Sequence, residues 1–487
     1  MATATAATGT LKKMLIDGKW TAADNGRTLA VVNPATEETV ADIAYGSRAE
    51  YARAIEAAAR AMPAWMKLTS WDRAKVLRKT GDLMRERADA IARTLTTEQG
   101  KPLAEAKAEV LHSADTFEWF AEEGKRAYGQ IIPNSAPGKR HMTLKHPVGV
   151  VAAISPWNFP VTLQARKIAP ALAVGCTVVS RPADETPLSL IQVFECLLEA
   201  GLPPGVANLV MGPPQEFADE VMENYTVRKV SFTGSIPVGK QLMRTAANHL
   251  KRLSLELGGH APFIVFPDAD PEVGAKIAVT GKFRNNGQVC IAPSRFYVHK
   301  DVQKKFTEAT VEFARALKMG NGLEPGIEVG PMLRKRSLQT TAELVDNARQ
   351  GGAKVLTGGK RSERFDKGYF FEPTVLTGVS EQAKMLTEEP FAPVMPLLDF
   401  SKVDDVIHAA NNTRYGLAAY VFTNDLSTAL KMAEGVEAGI IGVNDPVPAT
   451  PQCPFGGMKE SGLGRELAHE GLEAYLETKY ISIKLRD

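Results

Sequence analysis

The stretch of sequence that decides the fold is VGVVAAISPWN, residues 148–158. Its first seven residues are apolar or glycine, which is typical of a strand buried on both faces of a sheet. The next four residues form a short polar loop that contains a proline, and proline cannot continue a strand ladder. A buried strand that runs directly into a polar loop indicates a parallel sheet with a ligand site at its edge.

Strands and helices alternate outward from this stretch as far as Gly259. The predicted helices are Leu163–Val174, ended by Gly175, and Leu188–Ala200, ended by Gly201. The further predicted strands are Cys176–Ser180, Leu209–Gly212 and Val230–Gly234. This order predicts a parallel sheet with helices on both faces, the doubly wound α/β arrangement.

The rest of the chain adds three different patterns. Short strand patterns and turns fill residues 14–45, and a helical pattern extends from Ser47 to about Phe120, broken by EQGKP at 98–102. Residues 260–450 alternate again and predict a second α/β domain. Ile481, Ile483 and Leu485 alternate with polar residues, which predicts an edge strand that pairs with another chain or with a protruding hairpin.

Bulk properties exclude several classes of protein. The 487 residues are too many for one core, so two or three domains are expected, and a net charge of +2 without a long basic run gives no nucleic-acid footprint. The longest apolar run is too short for a membrane span, and the small, polar, arginine-poor start is neither a secretory signal nor a typical transit peptide. The four widely spaced cysteines match neither a metal knuckle nor a disulfide scaffold, so no metal site is expected and a cytoplasmic location is predicted.

One cysteine differs from the other three in its surroundings. Cys176 and Cys196 lie in apolar stretches and fit the role of core filler, and Cys453 is as consistent with packing as with a place at a substrate entrance. Cys290 instead follows the polar run NNGQ (285–288). Glu256, just before two glycines, supplies a carboxylate, and a thiol with a carboxylate suits covalent catalysis on a carbonyl.

Three strand-end loops carry polar or glycine chemistry, namely SPWN (155–158), SRPAD (180–184) and TGS (233–235). The last loop opens a helix, and a helix N-terminus binds phosphate through its free N–H groups. The GxGxxG fingerprint is absent, so from spacing alone a glycine-capped turn and a phosphate site are equally consistent with this loop.

The whole chain resembles the NAD(P)-dependent aldehyde dehydrogenases. Six motifs carry this resemblance in the same order: PWNFP (156–160), FTGS (232–235), LELGG (255–259), GQVC (287–290), EPF (389–391) and PFGG (454–457). It implies a nucleotide-binding domain (1–124 and 148–258), a catalytic domain (259–465) and a small β oligomerisation element (125–147 and 466–487) of a homodimer or homotetramer.

The resemblance also implies the residues that contact the nucleotide. Gly234 and Ser235 would face the pyrophosphate, Glu389 would hold the nicotinamide ribose, and Lys167 would orient the nucleotide or the catalytic carboxylate. The other expected contacts are Ser155, Pro156, Trp157, Arg181, Ala183, Asp184, Gly212, Phe232, Thr233, Leu257 and Phe391. Arg181 can bind the 2′-phosphate of NADP, whereas Asp184 repels that phosphate and can accept a hydrogen bond from the 2′-hydroxyl of NAD. NAD is therefore favoured, and NADP stays open.

The expected mechanism starts with attack of the Cys290 thiolate on the aldehyde. The Asn158 side-chain amide and the Cys290 backbone N–H, the pair that the resemblance implies, would stabilise the oxyanion. Loss of hydride to the nicotinamide leaves a thioester, and Glu256 would be the general base for its hydrolysis, with a pKa raised by apolar neighbours.

Within the family, the chain is most similar to succinate-semialdehyde dehydrogenases. The similar stretches are EQGKPLAEA (98–106), EWFAEEGKR (118–126) and SGLGRE (461–466), and glutarate- and α-ketoglutarate-semialdehyde enzymes are also similar. This similarity implies Arg166 and Arg284 as the substrate-carboxylate ligands, with Thr450 or a neighbour as a third contact and Phe455 in the substrate site. Ala292 occupies the position of a regulatory second thiol, so no disulfide switch is expected.

Four other functions compete with this prediction. A broad-specificity dehydrogenase would act on uncharged aliphatic or aromatic aldehydes, and a cysteine esterase or acyltransferase would turn over activated esters without nucleotide. The third is a non-catalytic binding protein, which has no physical reason to keep Cys290, Glu256 and Asn158 together. A coenzyme A acylating enzyme would dispense with Glu256 as hydrolytic base.

Overall fold

The computed structural model describes residues 11–486. Twenty strands are found in this range: β1 (Met14–Ile16), β2 (Lys19–Thr21), β3 (Thr28–Val32), β4 (Thr39–Ala44), β5 (Gln130–Ile132), β6 (Lys139–Pro147), β7 (Val150–Ile154), β8 (Thr177–Arg181), β9 (Ala207–Leu209), β10 (Val227–Thr233), β11 (Arg252–Glu256), β12 (Ala261–Val265), β13 (Pro293–His299), β14 (Lys354–Thr357), β15 (Thr374–Thr377), β16 (Val394–Phe400), β17 (Ala418–Phe422), β18 (Ile440–Val443), β19 (Gly462–Leu463) and β20 (Leu476–Lys484).

The same residues form fifteen α-helices: α1 (Arg48–Lys67), α2 (Ser70–Glu86), α3 (Ala88–Gln99), α4 (Leu103–Glu123), α5 (Pro160–Val174), α6 (Leu188–Glu199), α7 (Pro214–Glu223), α8 (Ile236–Ala246), α9 (Pro271–Phe283), α10 (Lys300–Ala316), α11 (Lys335–Gln350), α12 (Lys384–Thr387), α13 (Val403–Asn411), α14 (Leu426–Gly435) and α15 (Ala468–Glu473). Short 3₁₀ turns lie at Gly124–Arg126, Ala247–His249, Arg284–Gly287 and Lys459–Ser461. None of the described helices is both long and apolar enough to cross a membrane.

The first sheet has the strand order β19-β11-β10-β7-β8-β9-β1-β2. Its five central strands, β7 to β11, are parallel to one another, while β1 and β19 add antiparallel strands at the two ends. The chain passes from β7 outward to β9 and then returns to the other side of β7 with β10. The order therefore reverses between β7 and β10, and the crevice at such a point is where doubly wound sheets bind ligands.

The second sheet has the order β14-β15-β16-β13-β12-β17-β18 and is parallel except for β14. The fold is therefore α/β with two sheets of this type, as predicted. The proposed boundaries between the nucleotide-binding and catalytic domains remain a prediction. The short strand β19 lies within the range assigned to the catalytic domain, but it pairs with β11 of the first sheet.

A third sheet has the order β20-β6-β5, and β3 and β4 form a separate two-stranded sheet. The C-terminal strand β20 pairs along its length with β6 of the β5–β6 hairpin, and its other edge pairs with no strand of residues 11–486. The predicted edge strand and its pairing with a hairpin are confirmed. Several large apolar side chains on this sheet are exposed, among them Ile131, Leu144 and Tyr480.

The predicted helical segment is present as α1 to α4, with the predicted break between α3 and α4. Gly100 ends α3 in the left-handed region (φ 96°), and Pro102 precedes α4. A side chain on Gly100 would also lie 2.8 Å from the rings of both Pro34 and Pro331, so the turn needs glycine for close approach as well as for φ. This loop brings its neighbours, Gln99 and Lys101, into the interior, where both are buried.

Candidate active site

Four neighbouring strands end at the same edge of the first sheet. Ile154 pairs with Arg181 between β7 and β8, and with Phe232 between β7 and β10. Thr233 of β10 pairs with Glu256 of β11. Because these strands are parallel, their following loops gather at one edge, which places Glu256 beside the loops that begin at Ser155 and Gly234.

The strand-end cavity lies at this edge and has a volume of about 200 Å³. It is lined by Pro156, Trp157, Asn158, Thr233, Gly234, Ser235, Glu256, Leu257, Gly258, Cys290, Glu389 and Phe391. The structure thus brings together residues from five of the six motifs that carry the resemblance, and the sixth, PFGG, does not line this cavity. The Trp157 and Phe391 rings meet edge-on, with centroids 5.6 Å apart.

A second cavity, here called the arginine cavity, lies on the other side of Cys290 and has a volume of about 320 Å³. It is lined by Glu105, Ala108, Glu109, His112, Phe159, Thr162, Leu163, Arg166, Arg284, Val289, Cys290, Ile291, Val447, Ala449 and Phe455. Cys290 is the one lining residue that the two cavities share. Its position at their boundary suits a nucleophile whose two reaction partners approach from different sides.

A tight left-handed turn presents Cys290. Asn285, Asn286 and Gly287 all have positive φ, and a side chain on Gly287 would collide with the Ala392 carbonyl oxygen. Within residues 11–486, the Cys290 backbone N–H donates to no backbone oxygen, which leaves it available for an oxyanion. Burial, and then the Glu389 charge, raise the pKa of the Cys290 thiol to about 12, so a base must take the thiol proton.

Asn158 points its side-chain amide toward the nucleophile turn. The Asn158 Nδ2 donates to the Gln288 carbonyl at 3.1 Å, two residues before Cys290, and Asn158 is 3% exposed. Its Oδ1 has no hydrogen-bond partner among the described residues. The amide is therefore close to the thiol and held by one replaceable hydrogen bond.

Glu256 is buried at the end of β11 without a hydrogen-bond partner for either carboxylate oxygen in the described chain. Burial, and next the Glu466 charge, raise the pKa of Glu256 well above its usual value, in the predicted direction. A side chain on Gly456, in the PFGG motif, would lie 2.9 Å from Glu256 Oε1. The glycine leaves room for the carboxylate to remain beside the cavity.

Gly258 and Gly259, just after Glu256, allow two other groups of the site to approach the main chain closely. A side chain on Gly258 would collide with the Glu389 carboxylate, and one on Gly259 would collide with the Cys290 carbonyl oxygen. The Gly259 N–H donates to Glu389 Oε1 at 3.1 Å. Burial raises the pKa of Glu389 to about 7. The LELGG motif thus joins β11 to the nucleophile turn and to Glu389.

Lys167 lies behind the strand-end cavity and does not line it. Its amine is fully buried, donates to Thr233 Oγ1 at 2.7 Å and forms an ion pair with Glu466. Sequence reasoning missed Glu466 as a site residue, although it lies in the quoted motif SGLGRE. No local pattern indicates that this carboxylate pairs with a lysine 299 positions earlier.

Arg166 and Arg284 both line the arginine cavity, together with Phe455. The Arg166 guanidinium lies 4.2 Å from the Phe455 ring centroid, is 5% exposed and has an Nε without a partner in the described residues. The Arg284 guanidinium lies 5.2 Å from the ring centroid of Phe159. Within residues 11–486 neither arginine forms an ion pair with a carboxylate.

Sequence reasoning also missed Glu105 and His112 in this cavity. Glu105 accepts a hydrogen bond from the Asn285 N–H at 2.9 Å, and burial raises the pKa of Glu105 to about 7. Burial, and then Arg166, lower the pKa of His112 to about 4, so this imidazole is neutral at pH 7. Thr450 does not line the cavity; its neighbour Ala449 does, and alanine has no side-chain donor.

The loop after β8 lies farther along the same edge of the sheet. Arg181 donates to Asp184 Oδ1 at 2.6 Å and to the Gly212 carbonyl at 2.8 Å, and Tyr45 donates to Asp184 Oδ2 at 3.2 Å. Ala183 is buried within this loop. Asp184 is the more exposed member of the pair, with 23% of its side chain exposed against 7% for Arg181.

The remaining predicted residues lie at or under the strand ends. Ser155 is buried, and its hydroxyl accepts from Gln164 Nε2 at 2.8 Å, while Phe232 packs beneath Gly234. Helix α8 begins just after Ser235, whose side chain forms no capping hydrogen bond. The free N–H groups at the start of this eleven-residue helix, beside the strand-end cavity, suit a phosphate group.

Known proteins are similar to this chain over most of its length. The model of the aldehyde dehydrogenase family matches residues 20–481. A glutarate-semialdehyde dehydrogenase of Pseudomonas putida is 47% identical, over 96% of this chain and 97% of its own. A succinate-semialdehyde dehydrogenase [NADP(+)] of Escherichia coli is 45% identical, over 97% and 98%. The crystal structure of an E. coli NADP-dependent enzyme superposes with a TM-score of 0.96, at 45% identity over 97% of this chain and 98% of that one.

Proposed function

The chain belongs to the aldehyde dehydrogenase family, and on that premise we propose that it oxidises an aldehyde with a terminal carboxylate to the dicarboxylate. Succinate semialdehyde or a near homologue is the proposed substrate class. One observation carries the proposal: Arg166 and Arg284, which form no ion pair with a carboxylate among residues 11–486, both lie in the cavity that Cys290 lines. An aldehyde that reaches Cys290 from this cavity would have its other end near them.

The charges around the arginine cavity favour an anion. A buried cation without a partner is costly, and an entering carboxylate would offset that cost with charge-assisted hydrogen bonds. Glu109 is already paired with Lys101, and His112 is neutral. Glu105, with a pKa of about 7, is only partly ionised at neutral pH, which leaves an excess of positive charge in the cavity.

Cys290 would form the first covalent bond of the reaction. As its sulfur attacks the carbonyl carbon, the thiol proton leaves, and Glu256 is the proposed acceptor because it lines the same cavity and has a raised pKa. The negative oxygen of the resulting thiohemiacetal would receive hydrogen bonds from Asn158 Nδ2 and the Cys290 N–H. The Asn158 amide would exchange its bond to the Gln288 carbonyl for this one.

NAD(P), held by the strand-end loops, would supply the hydride acceptor that allows the Cys290 adduct to become a thioester. Once it has released the thiol proton to solvent, Glu256 would remove a proton from the water that attacks the thioester carbonyl, and would return that proton to the Cys290 sulfur as the carboxylic acid leaves. A carboxylate without hydrogen-bond partners suits this role, because a water molecule can occupy its open acceptor positions.

Contacts from the strand-end loops would hold the nucleotide. Gly234, Ser235 and the start of α8 would bind the pyrophosphate, and Glu389 would bind a ribose hydroxyl. We propose NAD as the preferred cofactor because Arg181 is committed to Asp184 and the Gly212 carbonyl, whereas Asp184 is partly exposed. A 2′-phosphate would meet this carboxylate before it reached the arginine.

Two substrates of equal length test the substrate class. Arg166→Met and Arg284→Met are each measured with succinate semialdehyde and with the uncharged aldehyde butanal. Each variant should lower kcat/KM for the semialdehyde by about 10- to 100-fold, the value of a hydrogen bond to a charged group, and change it little for butanal. Arg93→Met, which removes an exposed charge on α3, is the control. Equal losses on both substrates would support an enzyme for uncharged aldehydes instead.

Assembly and location are proposed on separate grounds. The exposed apolar residues on β5, β6 and β20 favour a homodimer or homotetramer that covers this sheet. All four cysteines are free thiols, which favours a reducing compartment such as the cytoplasm.

A further inference from the structure

The loop between α3 and α4 reaches the site through two buried side chains. Lys101 is 1% exposed, and its amine donates to the main-chain carbonyl of Asn158 at 2.6 Å. Asn285 Nδ2 donates to the same carbonyl at 3.1 Å. Gln99 Nε2 in turn donates to Asn285 Oδ1 at 2.9 Å, which orients the Asn285 amide. The main-chain carbonyl of Asn158 therefore accepts hydrogen bonds from two buried side chains.

Glu109 completes this arrangement at the start of α5. One of its oxygens accepts from the Lys101 amine at 2.5 Å, and the other accepts from the N–H groups of Val161 and Thr162, at 3.0 and 3.2 Å. The Lys101 amine also lies 3.8 Å from the Phe159 ring centroid. Lys101 and Glu109 together thus contact every residue from Asn158 to Thr162 except Pro160.

We propose that Lys101, with Glu109, is a positioning residue that sets the direction of the Asn158 side-chain amide toward Cys290. The inference rests on the proposed role of Asn158 as oxyanion donor. The Asn158 side chain makes only one hydrogen bond, to the Gln288 carbonyl, and its Oδ1 has no partner in the described residues. Its own contacts therefore do little to hold it, and its direction depends on the main chain that Lys101 fixes.

A positive charge here also acts on the developing oxyanion through the intervening peptide. The Lys101 amine polarises the Asn158 carbonyl, while Glu109 balances the charge so that the pair adds no net charge to the interior. Burial lowers the pKa of Lys101, and Glu109 opposes that effect. A displaced donor costs rate without weakening nucleotide binding, because the hydrogen bond to the oxyanion exists only after the aldehyde has been attacked.

A double-mutant cycle between Lys101 and Asn158 tests the inference. We expect Lys101→Met to lower kcat by about 10- to 100-fold, as a displacement of about 1 Å does in other enzymes, with KM for NAD unchanged. We expect Asn158→Ala to lower kcat by about 100- to 1000-fold. If Lys101 acts through Asn158, adding Lys101→Met to Asn158→Ala should change kcat by less than about twofold, which is the usual error in the additivity of such free energies.

Lys229→Met is the matched control. Lys229 is also 1% exposed and donates to Ser254 Oγ at 2.6 Å, but it has no hydrogen bond to the Asn158 peptide. Its effect on kcat should multiply with that of Asn158→Ala. Should Lys101→Met fail to fold, Glu109→Gln carries the same cycle, because it keeps the side-chain size and weakens the ion pair that holds the Lys101 amine.

The outcomes separate the inference from the proposed function. Full activity in Asn158→Ala would overturn the oxyanion role itself. Loss of activity in Asn158→Ala, combined with no loss in Lys101→Met or with losses that multiply, would overturn only the positioning role of Lys101. Loss in both single variants without further loss in the double variant supports both.

Discussion

Glu466→Gln should shift the pH dependence of thioester hydrolysis toward acid. Glu466 is paired with Lys167, and its negative charge is the second cause, after burial, of the raised pKa of Glu256. The substitution removes this charge and leaves Lys167, whose positive charge favours the Glu256 carboxylate. Both effects lower the pKa of Glu256.

The size of the shift follows from the burial of the groups. A neighbouring charge shifts a pKa strongly when it lies within about 6 Å, and at that distance two unit charges interact by about 3 kcal/mol at an effective dielectric constant of about 20, which corresponds to about two pKa units. In the native protein Lys167 offsets part of the Glu466 charge, so we expect a shift of about one to two units. Glu256 acts as a base in its ionised form, and a lower pKa keeps it ionised at lower pH. The acid limb of the profile should therefore move to lower pH.

The assay follows the thioester directly. Enzyme, NAD and succinate semialdehyde are mixed over a range of pH, quenched with acid at set times, and the mass of the intact protein gives the fraction acylated on Cys290. The decay rate of the acylated fraction against pH gives the apparent pKa of the hydrolytic base. Glu470→Gln, an exposed carboxylate on α15, makes the same change in net charge and should leave this pKa in place.

A limb that stays in place or moves to higher pH in Glu466→Gln would refute the reasoning. The first result would mean that Glu466 does not act on the hydrolytic base. The second would mean that Glu466 stabilises the Glu256 carboxylate, for instance by holding Lys167 near it.

Three further predictions concern single residues. Glu256→Gln should lower kcat by about 100- to 10,000-fold and let the thioester accumulate, which would be measured as a stable mass increase on Cys290. A variant that still hydrolyses the thioester at the native rate would exclude Glu256 as the base. Asp184→Asn should raise kcat/KM for NADP relative to NAD by about tenfold or more, since it removes the charge that opposes a 2′-phosphate; an unchanged ratio in steady-state assays would contradict the proposed cofactor preference. Gly258→Ala should raise KM for NAD severalfold because its methyl group collides with the Glu389 carboxylate, and an unchanged KM would argue against Glu389 as a ribose ligand.

Much of the fold was predictable because its signals are local. The buried strand at 150–154, the helix that Gly175 ends and the break at Gly100 all follow from residues within one element. Parallel strands then gather their C-terminal loops at one edge, so the proximity of Ser155, Gly234 and Glu256 follows from strand order alone.

The support around the site was not predictable, because its contacts join distant parts of the chain. Lys101 reaches the Asn158 carbonyl across 57 positions, and Lys167 reaches Glu466 across 299. Neither lysine lies in a pattern that distinguishes a buried cation from the far commoner solvated one. Glu105 was quoted only as part of a resemblance, and its place in the arginine cavity depends on how α4 packs beside α5.

The position of Cys290 between two cavities bears on the order in which the reactants arrive. An aldehyde in the arginine cavity does not occupy the strand-end cavity, so neither reactant has to pass the other to reach the sulfur. A random sequential order of addition is therefore open to this enzyme. An electrophile that alkylates Cys290 from the arginine cavity should leave an enzyme that still binds NAD. Such an enzyme would have lost the attack on the aldehyde and kept nucleotide binding.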